Sequence, residues 1–283
     1  MKRTGIVLYL ATLLCSSISQ ESGEESDWNY GNQPRWEGQC TTGDKQSPIS
    51  LERDNAETEW RVFPLSSSIS FSDYDKQADG TFTNNGHSVE MALEYSDPSA
   101  TPRTVVSSEG SSTTFLFRSL HFHWPSEHYI NGKRYDLEMH MVHQSEDNRL
   151  LVLGYMFHVC RRASSGMEVV GASVNRLESV GSTVPVSQFA PQRLMPGRLD
   201  QCGYFQYNGS LTTPPCTEGV TWLVREEPLC VEQWELDAFN NVTNAEGTRM
   251  AGNARDLQAI NGRTITYHRC VLVAHWRFFW WLW

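Results

Sequence analysis

The segment "LHFHWPSEHYINGKRYDLEMHMVH", Leu120 to His143, holds five of the chain's nine histidines. In a strand, side chains two residues apart share a face. His121 and His123 therefore project together, with Phe122 turned the other way into packing. After the turn signal "NGK" at Asn131–Lys133, "DLEMHMVH" reads as a second strand, with Glu138, His140 and Val142 on one face and His143 on the other. If the two strands pair, His140 meets His121 and His123 over one point in space. Three imidazoles without a fourth side-chain donor are the ligand set of a catalytic zinc, which keeps one position for water. Glu138 is placed to accept the second N–H of a ligand imidazole, which fixes its tautomer and orientation. The spacing alone equally describes a copper site or a non-catalytic zinc site. His128 and His143 read as supporting or packing residues rather than ligands.

Such a site needs strands to position it. Short β-type runs recur along the chain, among them "SISFSDY", "GTFTNNGHSVEMALEY", "TTFLFRSLHFHW", "LLVLGYMFHV" and "GVTWLVRE", separated by Gly, Pro, Asn and Ser. Helical spacing occurs in "VSQFAPQRLM" and in "CVEQWELDAFNNV", the latter from about Cys230 to the Asn240–Asn241 pair. With no repeat and no composition break, the expectation is one large, mainly β domain with few short helices.

Composition narrows the class. A chain of 283 residues with 39% hydrophobic content and ten Trp can bury a substantial core. A formal charge of −10 argues against nucleic acid as a partner, because phosphate binding needs a basic face. "MKRTGIVLYLATLLCSSISQ" has a basic start, an apolar run and small residues at Ser17 and Ser19, the pattern of a secretory signal over residues 1–19. An acidic lead-in follows over 20–26. Of seven cysteines, Cys15 leaves with the signal, so six enter an oxidising compartment, extracellular or periplasmic, where disulfides form. Asn241-Val-Thr243 is a glycan acceptor pattern. The aromatic-rich end, residues 266–283 with "VLVAHWRFFWWLW", is too short to span a bilayer. A lipid anchor or an interfacial membrane contact through its tryptophans is the alternative to an atypical terminus.

The order of "QSPI" (Gln46–Ile49), "NNGHSV" (Asn84–Val89), "HFHW", "SEH" (Ser126–His128), "LEMHMVH", "VLGY" (Val152–Tyr155) and "GSLTTPPCTEGVTW" (Gly209–Trp222) resembles the α-class carbonic anhydrases over residues 27–265. The short "HWPSEH" connection looks more like the bacterial and plant or algal branch than the animal cytosolic one. The resemblance implies a single domain on a large, mostly antiparallel twisted sheet. It implies zinc as cofactor, held by His121, His123 and His140, and reversible hydration of carbon dioxide to bicarbonate and a proton. It assigns Thr212 the gatekeeper role: its hydroxyl accepts from zinc-bound hydroxide and donates to Glu127. His87 matches the proton shuttle, and Tyr30 the tyrosine that orders the cavity's water. Val142, Val152, Leu211, Val220 and Trp222 match the apolar wall for carbon dioxide, with Thr213 beside it. Sulfonamides and anions are the expected inhibitors. Cys40 and Cys216 match the disulfide of secreted members, while Cys160, Cys202, Cys230 and Cys270 have no partner assigned.

Two positions depart from the family pattern. Ser119 replaces the glutamine that bonds the first ligand histidine, and Ala254, between Asn253 and Arg255, replaces an aromatic. Neither removes a catalytic group. The rival readings are a catalytically weak binding or matrix protein of the same fold, and a zinc esterase. Retention of all three histidines favours the first enzyme reading.

Overall fold

A computed structural model describes residues 28–63, 69–108, 110–195 and 203–272. The expected signal and acidic lead-in, the chain end from 273, Cys202 and the Cys270 side chain lie outside the described residues. The fold is mainly β, as expected. A 13-stranded sheet has as its central run Ala78–Asn84, Val89–Glu94, Ser111–His123, Leu137–Gln144, Leu150–Val159, Glu218–Arg225 and Tyr204–Ser210. Neighbours are mostly antiparallel. Leu150–Val159 runs parallel to Glu218–Arg225, and Thr266–Leu272 parallel to Glu57–Phe63.

Both faces of this sheet are covered, which is why the Leu137–Gln144 strand is mostly buried rather than alternating. One face packs Leu120, Phe122, Met139, Met141, Leu153 and Phe157 against the helices Ser165–Val174 and Gln233–Phe239. Each of these fully buried side chains stabilises the fold by about 1.5–3 kcal/mol. The opposite face gathers Ile49, Val152, Met156, Tyr207, Val220 and Trp222 into a second cluster, which backs the histidines.

Three expectations are corrected. "VSQFAPQRLM" is not a helix: Thr183–Phe189 is an edge strand paired with Ala78–Asn84, followed by a short 3-10 turn at Pro191–Leu194. Val184, Pro185 and Val186 find partners in Phe82, Thr81 and Gly80, so pairing overrides local periodicity. The second expected helix begins at Gln233, because Cys230 belongs to the strand Leu229–Val231. The sheet also runs past the expected domain edge at 265, through Thr266–Leu272. Two disulfides are present, Cys40–Cys216 and Cys160–Cys230; the second had no assigned pairing.

Candidate metal centre

Strand register brings the histidines together. Ser111–His123 and Leu137–Gln144 pair antiparallel with His121 opposite His140 and His123 opposite Glu138. Directly opposed residues share a face, so all four side chains rise from one side of the sheet. One ring nitrogen from each of His121, His123 and His140 lies within 4.8 Å of the others. His143 points to the other face, where its Nε2 accepts from the Tyr74 hydroxyl and its Nδ1–H donates to Met141 O.

Hydrogen bonds set which nitrogen each ring presents. His123 Nδ1–H donates to the Asn253 carbonyl at 2.8 Å, leaving a buried Nε2 with no hydrogen bond. His140 Nε2–H donates to Glu138 Oε1 at 2.7 Å, which leaves its Nδ1 as the lone-pair atom. The His121 ring makes no hydrogen bond among the described residues, and half-buried Ser119, two positions before it, does not reach it. Burial pushes His121 and His123 down to about 3 and His140 to about 4, helped for each by a neighbouring imidazole's charge. All three are therefore neutral near pH 7, the form in which imidazole binds a metal. A buried acceptor nitrogen without a donor, among three neutral rings, fits a cation and fits little else.

Glu138 anchors the set. Its Oε1 also accepts from His128 Nδ1–H at 2.7 Å, and its Oε2 accepts the Glu127 and His128 backbone N–H groups. Burial alone would raise its pKa, but the His128 and His140 rings hold it well below the usual carboxylate range. The chain continues from His128 Nε2, which accepts from the Tyr207 hydroxyl at 2.6 Å, to Ser47 Oγ at 2.8 Å from that hydroxyl. Tyr207 was not among the sequence candidates; it is brought there by strand pairing opposite Trp222.

Thr212 sits on the loop after Tyr204–Ser210. Leu211 N–H closes that loop onto Thr217 O, and the Cys40–Cys216 disulfide ties it to the short helix Gln39–Thr42 that precedes "QSPI". Ser47 and Ser210 exchange reciprocal backbone-to-hydroxyl bonds across the junction. Gly209 permits this approach, since a Cβ there would lie 2.1 Å from Ser47 Oγ. Glu127, fully buried, accepts Arg255 N–H through Oε1 at 2.8 Å. Burial first, and then the Glu138 charge, raise its pKa well above the usual carboxylate range, and the Arg255 N–H, the nearby Thr212 hydroxyl and the Arg255 charge offset this only in part. Its Oε2 makes no hydrogen bond of ordinary geometry, yet Thr212 is near enough to favour the carboxylate. Arg255 itself donates to Gln46, Ser47 and Cys40.

The apolar candidates form one row. Val152 lies opposite Val142 on one side and Trp222 on the other, and Val220 pairs with Leu150. The Trp222 ring stands 4.8 Å from His140. Val152, Val220 and Trp222 are buried, whereas Val142, Leu211 and Thr213 keep some exposure. Tyr30 places a buried hydroxyl with no hydrogen bond near Glu127, and burial raises its pKa strongly. His87 is half-buried at the turn after Ala78–Asn84. Asn253 Nδ2 donates to its carbonyl, and Trp28 stacks on its ring at 3.9 Å with the planes 12° apart. Trp28 was missed as a partner, although it lies two residues before Tyr30. Asn241 is half-buried just beyond the Gln233–Phe239 helix.

A family model described as eukaryotic-type carbonic anhydrase matches residues 24–269. A carbonic anhydrase of Pectobacterium atrosepticum is 29% identical over 271 residues, spanning 91% of this chain and 98% of its own. The structure of dioscorin complexed with ascorbate superposes with a TM-score of 0.70 at 27% identity, covering 86% of this chain and 93% of that one. That of the α-carbonic anhydrase from Thermovibrio ammonificans with the inhibitor sulfanilamide gives 0.64 at 31% identity, covering 81% and 89%.

Proposed function

This chain belongs to the eukaryotic-type carbonic anhydrases, enzymes of carbon dioxide hydration, and from that premise we propose that it works through a zinc centre held by His121 Nε2, His123 Nε2 and His140 Nδ1. The observation that carries the reading is the convergence of three neutral imidazoles with the buried His123 Nε2 left without a donor. A zinc ion bound there would make hydroxide available at neutral pH, since such an ion lowers the pKa of its water from about 15.7 to about 7. Thr212 donates its proton to Glu127 and so can only accept from the attacking oxygen, which aims that oxygen's lone pair at substrate. A dication beside Glu127 favours the ionised form that this needs. Val142, Val152, Leu211, Val220 and Trp222 offer carbon dioxide an apolar shelf without a competing ligand, and Thr213 borders the product side. Glu138 and Asn253 fix ring orientation, and His128 holds Glu138 in turn. A domain over 27–265 extended by the Thr266–Leu272 strand, a secretory signal before it and a glycan at Asn241 complete the reading. The two disulfides support an extracellular or periplasmic setting.

The test is stopped-flow carbon dioxide hydration by protein of known zinc content, beside activated-ester hydrolysis and sulfanilamide titration. Fast hydration, with both activities lost at the same sulfanilamide concentration, supports one zinc site. Stoichiometric zinc without hydration would instead support the binding or matrix alternative.

Proton export falls to His87, because imidazole is the side chain chemically suited to take up and release a proton at neutral pH. His87→Ala is expected to lower kcat by about 10²-fold while leaving kcat/KM unchanged, because the proton leaves after bicarbonate does. Imidazole buffer should restore kcat; equal loss in both parameters, or no rescue, would assign His87 to packing with Trp28. Ser119→Gln is expected to give the His121 ring the acceptor it lacks and to tighten zinc binding by about 10–100-fold. Chelator competition reads this directly, and an unchanged affinity would show that His121 is already oriented.

A further inference from the structure

A cavity of about 310 Å³ lies where the helices Ser165–Val174 and Gln233–Phe239 begin, bordered by Arg162, Ser164, Glu168, Glu232, Trp234 and Glu235. These helices cover the face of the sheet away from the histidines, so the cavity is separate from the metal centre and its mouth. Its size stands at the lower end of small-molecule sites, roughly 300–1,000 Å³.

The walls are held in place. Trp234 is 45% exposed, yet its ring is fixed from two sides. Its Nε1–H donates to Glu232 Oε2 at 3.1 Å, and a Cβ at Gly171 would lie 3.0 Å from its Cζ3, so the indole rests on the neighbouring helix. Glu232 Oε1 accepts the Ala163 N–H at 3.3 Å, and the Glu232 N–H donates to Glu235 Oε2 at 2.8 Å, which joins the two helix starts. The indole therefore offers a fixed, open surface with its N–H already used, a place for a ring rather than for a polar group.

Two opposite charges on the same cavity are unused. The Arg162 guanidinium and the Glu168 carboxylate make no hydrogen bond or ion pair among the described residues, with each other or with any neighbour. Burial first, then the charges of Glu232 and Glu168, raise the Glu235 carboxyl, against the Glu232 N–H, which lowers it. The carboxylate side thus carries more negative charge than its own donors neutralise, and it fits an ammonium group. The guanidinium fits a carboxylate, through two parallel N–H donors. A lone cation would meet Arg162 and a lone anion would meet three glutamates, so a molecule carrying both charges matches the walls best.

We propose that this cavity binds a free α-amino acid with an aromatic side chain, its ammonium group towards Glu168 and Glu232, its carboxylate on Arg162 and its ring on Trp234. Neither zinc nor the hydration reaction is needed for this binding.

L-Phenylalanine serves as the probe, titrated by ligand-observed NMR into the full chain. Saturable binding with a Kd on the order of 1 mM is expected for a ligand of so few atoms. Arg162→Ala and Glu168→Gln should each weaken it at least about 10-fold, the scale of one charge-assisted pair, and Trp234→Ala should abolish it. Phenylalaninamide, which lacks the carboxylate, and N-acetylphenylalanine, which lacks the ammonium, should bind at least about 10-fold more weakly than phenylalanine. Arg162 and Glu168 are exposed, so their variants keep the fold even where Trp234→Ala does not, and unfolding temperature reports this. Absence of saturable phenylalanine binding, or binding indifferent to Arg162→Ala and Glu168→Gln, overturns the proposal. Phenylalaninamide binding as tightly as phenylalanine overturns it in favour of a cation site.

Discussion

His140→Ala is expected to remove zinc and carbon dioxide hydration together, with activity falling by at least about 10⁴-fold to the uncatalysed background, because the water pKa returns toward about 15.7 without the metal. The reason lies in strand geometry. His121 and His123 come from one strand and cannot surround an ion by themselves; His140 supplies the third direction from the neighbouring strand, directly opposite His121. The substitution also strips Glu138 Oε1 of one of its two histidine donors in a fully buried site. Some loss of stability will accompany it, so unfolding temperature and zinc content must be read beside the rate. A folded, zinc-free, inactive variant is the expected result. A variant that keeps stoichiometric zinc and hydration would mean that the ion is held without His140, which would exclude the buried His128–Glu138–His140 group as well.

Why this much was visible in the sequence, and the remainder was not, follows from the range of the interactions. Alternation in "HFH" and "EMH" is local, so the shared face of each pair can be read without a structure. Which residue opposes which is a question of register, set by the whole sheet, and only the structure gives His121 opposite His140. Cys160–Cys230 illustrates the same limit: the two cysteines meet because Leu150–Val159 pairs with the short strand Leu229–Val231. The Ser165–Val174 helix escaped because its sequence carries glycines and adjacent valines that argue against helix. The structure shows their purpose at Gly166, where a Cβ would lie 2.5 Å from the Arg193 backbone. The helix is stabilised by packing of Met167, Val170 and Val174 and by the Ser164 cap, not by propensity. The hydrogen-bond chain from Glu138 through His128 and Tyr207 to Ser47 spans 10, 79 and 160 residues of sequence separation in its three steps, which no local pattern encodes.

Thr212→Val is expected to cost about 10²–10³-fold in kcat/KM, the scale of removing one preorganised polar contact to the reacting oxygen, while zinc content and sulfanilamide-free stability stay near wild type. Valine keeps the shape of threonine and loses only the hydroxyl. The loop that carries it is held by other means: the Leu211–Thr217 backbone bond, the Cys40–Cys216 disulfide and the Ser47–Ser210 exchange. The effect can therefore be assigned to orientation of the nucleophile rather than to a collapsed loop. Three losses with three signatures then separate the roles. His140→Ala loses metal and rate together, His87→Ala loses kcat and recovers it with imidazole, and Thr212→Val loses kcat/KM with metal retained and no rescue by buffer. Thr212→Ser, which restores the hydroxyl, should recover most of the rate. If Thr212→Val were nearly silent, Glu127 would lose its part in aiming the nucleophile, and its burial beside Arg255 would be a structural brace for the 253–255 segment alone.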